Sequence, residues 1–409
     1  MKTRIITGAL LTIFLVSCKK EDKKQPIDLL EGPWRASLTV QDNEELPFLF
    51  EVMEDETLKI FNAEEVIDVD EVEIFGDSIK IKFPVFEGYV AAKFEDSLTI
   101  SGSFIKESLD RTVPFKATFG EQDRFDIATP PSANITGNWE TVFSQDNEED
   151  RYIAKGIFNQ NGNIVSGTFR TTTGDYRYLE GVVNGDQLQL STFDGAHAFL
   201  FTGKVTDSTL SGNFYSGNHW KEPFVAKRNE EYELPSEDSL TFIKEGYDGL
   251  EFSFPDTEGA MVSLDDERFK DKAVIVQIMG TWCPNCMDET KYYVDFYNKH
   301  KEKDVAFVAL AFEYAKTKER AVASIHRLQK KLNVPYPILL AQHGTSDKKK
   351  AQEKLPMLNH VLSYPTTIFV DKKGEVRRIH TGFNGPATGK KYEEFTAEFE
   401  RFVTELASE

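Results

Sequence analysis

The sequence contains little cysteine and histidine and no excess of positive charge. Its 409 residues include three cysteines and seven histidines. One Cys-x-x-Cys pair occurs, at residues 283–286, with no second such pair and no His-x-x-x-His to accompany it. Because structural zinc sites use four ligands, we expect no metal, and no motif indicates an organic cofactor. The net charge of −20 disfavours nucleic acid as a partner, since a phosphate backbone attracts positive charge.

Long apolar runs are also scarce. A helix that spans a bilayer needs about 20 apolar residues, and residues 19–409 contain no such run. At the N-terminus, Lys2 and Arg4 precede a shorter apolar segment at residues 5–16, which is typical of the core of a signal peptide. This part ends in the tetrad LVSC at residues 15–18. The tetrad resembles the lipobox of bacterial lipoproteins, in which the cysteine is acylated and becomes the first residue of the mature chain.

We therefore predict a lipoprotein signal peptide over residues 1–17 and acylation of Cys18. Multiple acyl chains, each contributing about 0.8 kcal/mol per buried CH₂ group, would hold the protein stably on a lipid membrane. Residues 18–29 then form a charged tether with little reason to fold. This interpretation anchors the protein by its lipid to a bacterial membrane, facing the periplasm or the cell surface. An ordinary cleaved signal peptide with a chance cysteine is the alternative.

The next part of the chain consists of short segments in which apolar and polar residues alternate, as at residues 78–83 and 187–190. Turn-forming Asn-Gly and Gly-Asp pairs, such as those at residues 161–162 and 76–77, separate the segments. Alternation with period two between tight turns is typical of antiparallel strands. The sequence therefore predicts an N-terminal region that is all-β and antiparallel.

This β region contains an internal repeat. The sequence QDNEE occurs at residues 41–45 and again at residues 145–149. Likewise, DSLTISGSF at residues 96–104 is matched by DSTLSGNF at residues 207–214. Repetition at this spacing predicts two similar units of about 100 residues each.

The two units, barrel-like or sandwich-like, are expected to span residues 30–127 and 132–229. The second has the pattern of about eight strands in a meander, which a small up-and-down barrel would accommodate without exposed edges. Two halves of one larger sheet assembly is the alternative. Trp34, Trp139 and Trp220 could form the floor of a ligand cleft, but packing in a barrel core is the favoured interpretation.

From about residue 236 the pattern changes to alternating strands and helices, and the central motif there is WCPNC. An apolar run at residues 273–278 precedes the motif, and a helical pattern follows it. Cysteines three apart on a helix lie close enough to form a disulfide. Cys283 would lie at the helix N-terminus, where the helix dipole favours a thiolate and lowers the pKa of the thiol. Cys286, one turn further, would be the resolving thiol of a redox-active disulfide.

Three segments of this C-terminal part carry a family resemblance. They are EFSFPDTEGAMVSL at residues 251–264, GTWCPNCMDE at residues 280–289 and SYPTTIFVDKKGEV at residues 363–376. With these motifs, residues 236–409 resemble the thioredoxin-fold domain of TlpA/ResA-type thiol-disulfide oxidoreductases, which are common as lipoproteins in Bacteroidetes-like bacteria. The resemblance implies an α/β thioredoxin-like fold for this domain and a thiol-disulfide oxidoreductase activity.

The resemblance also implies site residues around the dithiol. Pro365 would follow a cis peptide bond and lie against the cysteines, and the backbone of Tyr364 would pair with a substrate strand. Trp282 would belong to the same substrate-binding surface. Glu289 stands where the family places an acid near the resolving cysteine, and partial burial would fit it to shuttle the proton of that thiol. A solvated helix glutamate is the alternative for Glu289.

The chain departs from the family pattern at two positions. Gln277 stands where thioredoxin itself keeps a buried aspartate, which makes Glu289 the better candidate for the proton path. Lys291 stands where many TlpA-type sequences have proline, so we expect the active-site helix to lack their kink. Residues 380–389 are rich in glycine but lack the Gly-Lys-Ser/Thr ending of a phosphate loop. They could rim the substrate groove or form a plain connection.

These features predict a membrane-anchored, periplasm-facing enzyme that reduces protein disulfides through Cys283 and Cys286. By the same resemblance, its substrates would include proteins of cytochrome c maturation, and a membrane thiol reductant of the DsbD type would keep the pair reduced. Two other functions stay open. One is a peroxiredoxin-like thiol peroxidase, against which the Cys-x-x-Cys spacing argues. The other is a surface-lipoprotein ligand-binding protein, in which the β units bind the ligand and the thioredoxin-like module is accessory.

Overall fold

A computed structural model describes residues 29–301 and 304–409 of the chain. These residues form an N-terminal antiparallel β region and a C-terminal α/β domain, which confirms the predicted fold class. The predicted signal peptide, Cys18 and nearly all of the tether lie outside the described residues. Among the helices that the structure describes, none has the length and apolar character needed to cross a membrane.

The first β unit is a nine-stranded antiparallel sheet. Its strands are β1 (Gly32–Thr39), β2 (Glu45–Val52), β3 (Leu58–Asn62), β4 (Glu65–Val69), β5 (Glu71–Phe75), β6 (Ser78–Lys82), β7 (Tyr89–Phe94), β8 (Thr99–Lys106) and β9 (Arg111–Phe119). They pair in the order β4-β3-β2-β1-β9-β8-β7-β6-β5, so β4 and β5 are the two edges. Because the two edge strands are not paired with each other, the first unit is an open sheet.

The second β unit is a closed sheet. Its strands are β10 (Gly137–Phe143), β11 (Tyr152–Asn161), β12 (Ile164–Thr171), β13 (Gly174–Asp175), β14 (Leu179–Asn184), β15 (Gln187–Phe193), β16 (Ala198–Val205), β17 (Thr209–Ser216) and β18 (Trp220–Arg228). They follow the order β11-β10-β18-β17-β16-β15-β14-β12-β13, and a further pairing of β11 with β12 closes the sheet. Eight long strands thus form the predicted up-and-down barrel, and β13 is a two-residue addition to it.

The internal repeat is visible at the first strand of each unit. Trp34 on β1 and Trp139 on β10 are both fully buried. Each indole Nε1 donates to a carbonyl four residues earlier, that of Leu30 at 2.9 Å and that of Ile135 at 2.8 Å. These two tryptophans are therefore core residues, as the packing interpretation predicted. Trp220 is 38% exposed, because it stands beside a turn at the first position of β18.

The outer wall of the barrel completes the core of the open sheet. On β16, Phe199 and Phe201 belong to the barrel core, whereas Leu200 between them packs into the core of the first unit. Phe193 does the same, and its ring stacks on that of Phe48 with the centroids 4.3 Å apart. The two units share a sequence pattern but differ in closure, and one outer face of the barrel is buried by the open sheet.

In its described residues, the C-terminal domain has a small hairpin, a five-stranded mixed sheet and four α-helices. Its strands are β19 (Ser253–Pro255), β20 (Met261–Ser263), β21 (Ala273–Met279), β22 (Val305–Phe312), β23 (Ile338–Gln342), β24 (Thr366–Val370) and β25 (Val376–Thr381). Its helices are α1 (Pro284–Lys299), α2 (Lys318–Leu332), α3 (Lys348–Lys354) and α4 (Lys390–Ser408). The main sheet has the order β23-β22-β21-β24-β25, with β21 parallel to β22 and antiparallel to β24. This arrangement puts the end of β21, and with it the start of α1, at the centre of the domain.

Candidate active site

The dithiol motif lies where the central strand β21 meets α1. Every residue of β21 is buried, so the strand is a fixed base for the loop that follows. The helix begins at Pro284, whose restricted φ suits the first helical position. Cys283 precedes it as the N-cap residue, and its Sγ accepts a hydrogen bond from the amide of Cys286 at 3.2 Å. The first turn of α1 thus directs a free backbone amide at the Cys283 sulfur.

The two cysteines are free thiols with unequal access to solvent. Cys286 is fully buried, while 7% of Cys283 is exposed. The Sγ of Cys283 donates to the carbonyl of Tyr364 at 3.4 Å. Burial and the neighbouring Cys283 raise the pKa of Cys286 well above its usual value. Cys286 therefore stays protonated until a base removes its proton, and Cys283 is the sulfur that a substrate can reach.

The loop before β24 lies against the cysteines, and its Tyr364–Pro365 peptide bond is cis. The carbonyl of Pro365 accepts a hydrogen bond from the amide of Gly382 at 2.9 Å, which ties the loop after β25 to it. The ring of Tyr364 meets that of Trp282 edge to face, with centroids 5.5 Å apart. Trp282 and Tyr364, both predicted to bind substrate, therefore form one aromatic surface beside Cys283.

Glu289 is fully buried one helical turn after Cys286. Its Oε2 accepts a hydrogen bond from Nε2 of Gln277 at 2.8 Å, and its Oε1 accepts one from the hydroxyl of Thr367 at 3.0 Å. Burial raises the pKa of Glu289 to about 7, although these hydrogen bonds act to lower it. A carboxyl group with this pKa can accept and release a proton near neutral pH. The solvated position considered as the alternative for Glu289 is not the one the structure shows.

Gln277 has a role that the sequence did not reveal. It is buried on β21, and its Nε2 also donates to the carbonyl of Cys286 at 3.4 Å. Its Oε1 accepts a hydrogen bond from the hydroxyl of Thr290 at 3.2 Å. Gln277 therefore fixes the carboxylate of Glu289 relative to the turn that carries Cys286. The sequence feature that could have indicated this role is a single polar residue in an otherwise apolar strand.

A second buried carboxyl group, Glu313, was not expected from the sequence. It follows β22 directly and accepts hydrogen bonds from the amide and the hydroxyl of Thr281, both at 2.7 Å. Burial raises the pKa of Glu313 to about 7. Because Thr281 precedes Trp282 and Cys283, these bonds fix the loop that carries Cys283. The sequence signal was a single acid at the end of a long apolar strand.

The barrel reaches the redox site through residues 171–177, here called the capping turn. The side chain of Asn285, between the two cysteines, donates to the carbonyl of Asp175 in this turn at 3.1 Å. The hydroxyl of Ser363, next to the cis-proline loop, donates to the carbonyl of Thr173 at 2.7 Å. The capping turn thus lies against both the dithiol helix and the loop that contacts it. Nothing in the local sequence of the turn indicated this contact.

Arg177, at the end of the capping turn, joins all three parts of the protein. Its guanidinium pairs with the carboxylates of Glu65 in the first unit, Asp194 in the barrel and Asp288 on α1. It also donates to the carbonyl of Pro284 at 3.4 Å. Burial alone would lower the pKa of Arg177, but the carboxylates of Asp288, Glu65 and Asp194 raise it well above its usual value. Arg177 therefore stays charged and holds these carboxylates together in the interior.

An Arg177→Met variant is expected to lose at least about 3 kcal/mol of unfolding free energy, because it leaves three carboxylates without their shared cation. Only 3% of the Arg177 side chain is exposed, and 2% of that of Asp194. Urea denaturation followed by tryptophan fluorescence measures the change. The matched control is Arg151→Met, at an exposed position of the same unit, for which we expect a change below about 0.5 kcal/mol. Equal stability of the two variants would contradict the role given to Arg177.

Comparisons with known proteins concern the C-terminal domain. The Redoxin family matches residues 244–395. The thiol-disulfide oxidoreductase ResA of Bacillus subtilis is 29% identical over 142 residues, which cover 34% of this chain and 69% of ResA. The thioredoxin-like protein YneN of the same organism is 31% identical over 140 residues, covering 34% of this chain and 73% of YneN. The chain belongs to the TlpA/ResA-type thioredoxin-fold family. It is thus a thiol-disulfide oxidoreductase of the thioredoxin fold.

Solved structures resemble the same domain of this TlpA/ResA-type protein. A thiol-disulfide interchange protein of the thioredoxin family from Chlorobium tepidum TLS is 19% identical, with a TM-score of 0.29 and coverage of 40% of this chain and 97% of that one. A thiol-disulfide oxidoreductase from Bacteroides fragilis is 20% identical, with a TM-score of 0.27 and coverage of 36% and 99%. In the described residues of the TlpA/ResA-type chain, no three His, Cys, Asp or Glu side chains are grouped to hold a metal ion.

Proposed function

We propose that this TlpA/ResA-type protein reduces disulfides of exported proteins through Cys283 and Cys286. The observation that carries the proposal is the unequal burial of the pair beside a carboxyl group of raised pKa. Cys283, with 7% of its surface exposed, is the N-cap of α1, Cys286 is fully buried, and Glu289 is fully buried one helical turn further on. This is the arrangement that a two-step thiol exchange needs, with one attacking sulfur and one resolving sulfur.

The reaction begins at Cys283. Its thiolate, stabilised by the amide of Cys286 at the start of α1, attacks one sulfur of the substrate disulfide. The substrate S–S bond breaks, a mixed disulfide forms on Cys283, and the released thiolate takes a proton from solvent. Glu289 then accepts the proton of Cys286, and the Cys286 thiolate attacks the Cys283 sulfur. The bond between Cys283 and the substrate breaks, and the second substrate thiolate leaves and takes a proton from solvent. Two electrons have passed to the substrate, and the enzyme is left with a Cys283–Cys286 disulfide.

The oxidised pair must be reduced before the next turnover. A membrane thiol reductant of the DsbD type, implied by the family resemblance, would supply the two electrons. Proteins of cytochrome c maturation are the substrates that the same resemblance implies. The reductant and the substrates are both part of the proposal. Because Cys286 is fully buried, any reductant of the Cys283–Cys286 disulfide must attack the Cys283 sulfur.

Insulin reduction tests the proposed activity directly. With dithiothreitol as electron donor, the wild-type protein is expected to precipitate the insulin B chain well above the background rate, whereas Cys283→Ala should match the background. Peroxide consumption by the same sample separates the reductase from the peroxiredoxin-like peroxidase, since a peroxidase would turn over peroxide faster than insulin. A protein that reduces neither substrate would support the ligand-binding alternative and contradict the proposal.

The membrane location is proposed on the lipobox-like tetrad that ends at Cys18. Cys18→Ser is expected to move the protein from the membrane fraction to the soluble fraction, because acylation requires the cysteine thiol and the anchor is then lost. Cell fractionation followed by immunoblotting gives the distribution. Ser17→Ala leaves the acylated residue in place and serves as the control. Membrane retention of both variants to the same extent would refute the lipid anchor.

A further inference from the structure

The β units close one side of the redox site. The capping turn lies so near the loop after β25 that a Cβ on Gly382 would stand 2.7 Å from the carbonyl carbon of Thr173. A Cβ on Gly174 would stand equally close to the side-chain nitrogen of Asn285. The glycines at these two positions permit backbone contact between the barrel and the dithiol region. A substrate strand therefore has no room on the side of Asn285 and Gly382.

The other side of the site opens into a cavity. Its volume is about 260 Å³, and it lies where both β units meet the redox domain. Trp282 and Tyr314 form the wall on the redox-domain side, with ring centroids 5.6 Å apart. Phe104 and Leu109 of the first unit form part of the facing wall. Because Trp282 is bonded directly to Cys283, this wall of the cavity belongs to the loop that carries the Cys283 sulfur.

The cavity carries positive charge. Its lining includes Lys106, Arg111 and His219, and no aspartate or glutamate of the described chain lines it. Arg111 makes no ion pair with any described residue. Burial, together with the charges of Arg111 and Lys106, lowers the pKa of His219 to about 4. The imidazole of His219 is therefore neutral near pH 7, chiefly because it is buried, and it adds no charge to that of Lys106 and Arg111.

The nearest acids are engaged elsewhere. Asp194 pairs with Arg177 and with His197. Glu87, the other carboxylate close to Lys106, accepts a hydrogen bond from the amide of Ser108. The Lys106 ammonium itself donates to one backbone carbonyl, that of Ala196, which leaves two of its protons for a ligand. In a chain with a net charge of −20, a cavity lined by Lys106 and Arg111 and by no described aspartate or glutamate differs in charge from the rest of the protein.

We propose that this cavity binds a carboxylate group of the disulfide substrate, with Arg111 and Lys106 as its ligands and Trp282 as its apolar wall. The inference rests on the proposed disulfide reduction and names its substrate class: disulfides with an anionic group a short distance from the sulfur that Cys283 attacks. The electron balance is that of the reduction itself, in which dithiothreitol can return two electrons to the Cys283–Cys286 disulfide in vitro. The carboxylate is bound and takes no part in bond exchange.

The test compares disulfides that differ in charge. The probes are 5,5′-dithiobis(2-nitrobenzoate), which is a dianion, and 2,2′-dithiodipyridine, which is neutral and of similar shape. Arg111→Met is expected to lower kcat/KM about tenfold for the dianion, the size expected from the loss of one charged hydrogen bond, and less than twofold for the neutral probe. Lys106→Met is the second variant. Because it also removes the hydrogen bond to the carbonyl of Ala196, thermal melting checks that the variant is folded. Lys116→Met, at an exposed position on β9, the strand that begins at Arg111, is the matched control and should change neither value.

A second pair of probes identifies the source of the carboxylate. Reduction of 3,3′-dithiodipropionate tests whether the carboxylate belongs to a small disulfide. Reduction of a disulfide-linked peptide with Asp and Glu beside its cysteine, compared with a peptide that has Lys at these positions, tests whether it belongs to a protein segment. Selective loss in Arg111→Met for either one supports the cavity and names the source. Equal loss for charged and neutral probes, or no loss for any, would overturn the inference. A wild-type protein that reduces neither the neutral probe nor insulin would instead overturn the proposed function.

Discussion

Cys286→Ala is expected to abolish multiple turnover and to accumulate a mixed disulfide between Cys283 and the substrate. Cys286 is fully buried behind Cys283, and the described residues contain no third cysteine that could replace it. In a single turnover without added dithiothreitol, which would itself resolve the adduct, we expect release of the second insulin thiol to slow at least about a thousandfold, as for loss of a residue that a catalytic step requires. Non-reducing electrophoresis after alkylation of free thiols shows the adducts directly.

The controls for this experiment are Cys283→Ala and the double variant. Neither should form adducts, because the nucleophile is missing in both. Trapping the wild-type protein in cells reports the resting state of the pair, which we expect to be reduced if a membrane reductant serves it. Adducts formed by Cys283→Ala and not by Cys286→Ala would reverse the roles of the two cysteines, and a mostly oxidised wild-type pair would reverse the direction of electron flow.

Glu289→Gln is expected to slow the resolution of a mixed disulfide about a hundredfold, within the range for loss of a general base. The amide can keep hydrogen bonds with Gln277 and Thr367, so the change removes the proton acceptor and keeps the shape. The cleanest measurement starts from a mixed disulfide formed on Cys283 with thionitrobenzoate and follows release of the coloured thiol. The control is Asp295→Asn, at an exposed position of the same helix, which should leave the rate within twofold.

The pH dependence of this step gives an independent readout. Only the ionised carboxylate accepts a proton, so the wild-type rate should rise with pH up to about 7, the pKa of Glu289, and level off above it. Glu289→Gln should lack this rise. Because burial raises the pKa above the unfolded value, Glu289 favours the folded state at low pH and opposes it as pH rises from about 4.5 to about 7. A Gln variant with an unchanged rate and pH profile would show that Glu289 acts only in packing.

The sequence predicted those parts of the site that are encoded locally. The spacing of Cys283 and Cys286 fixed their place on one helical turn, and the resemblance placed Tyr364 and Pro365 beside them. It did not predict the hydrogen bond between Asn285 and Asp175, because these residues are 110 positions apart and belong to different domains. Contacts between domains depend on how the folded domains pack, and neither the hydrophobic periodicity nor a sequence motif indicates them.

Packing between domains also explains why the sequence did not predict that one β unit is open and the other closed. Their repeated segments predicted similar folds, and the buried Trp34 and Trp139 show that the repeat is real. Whether each sheet closes depends on what covers its apolar face. The barrel buries that face against itself, through residues such as Phe201, whereas the open sheet buries it against Leu200 and other residues on the outside of the barrel. The sequence alternation that makes a strand is the same in both cases.

The open sheet has a consequence for the order in which the chain folds. The first unit is synthesised before the barrel, yet its core is incomplete without Phe193, Leu200 and Tyr215, which come from the barrel. We therefore expect the apolar face of the first unit to stay exposed to solvent until most of the second unit has been synthesised. The barrel, whose own strands close on themselves, can fold first and act as the template. We therefore expect the second unit to fold before the first, although it comes later in the chain.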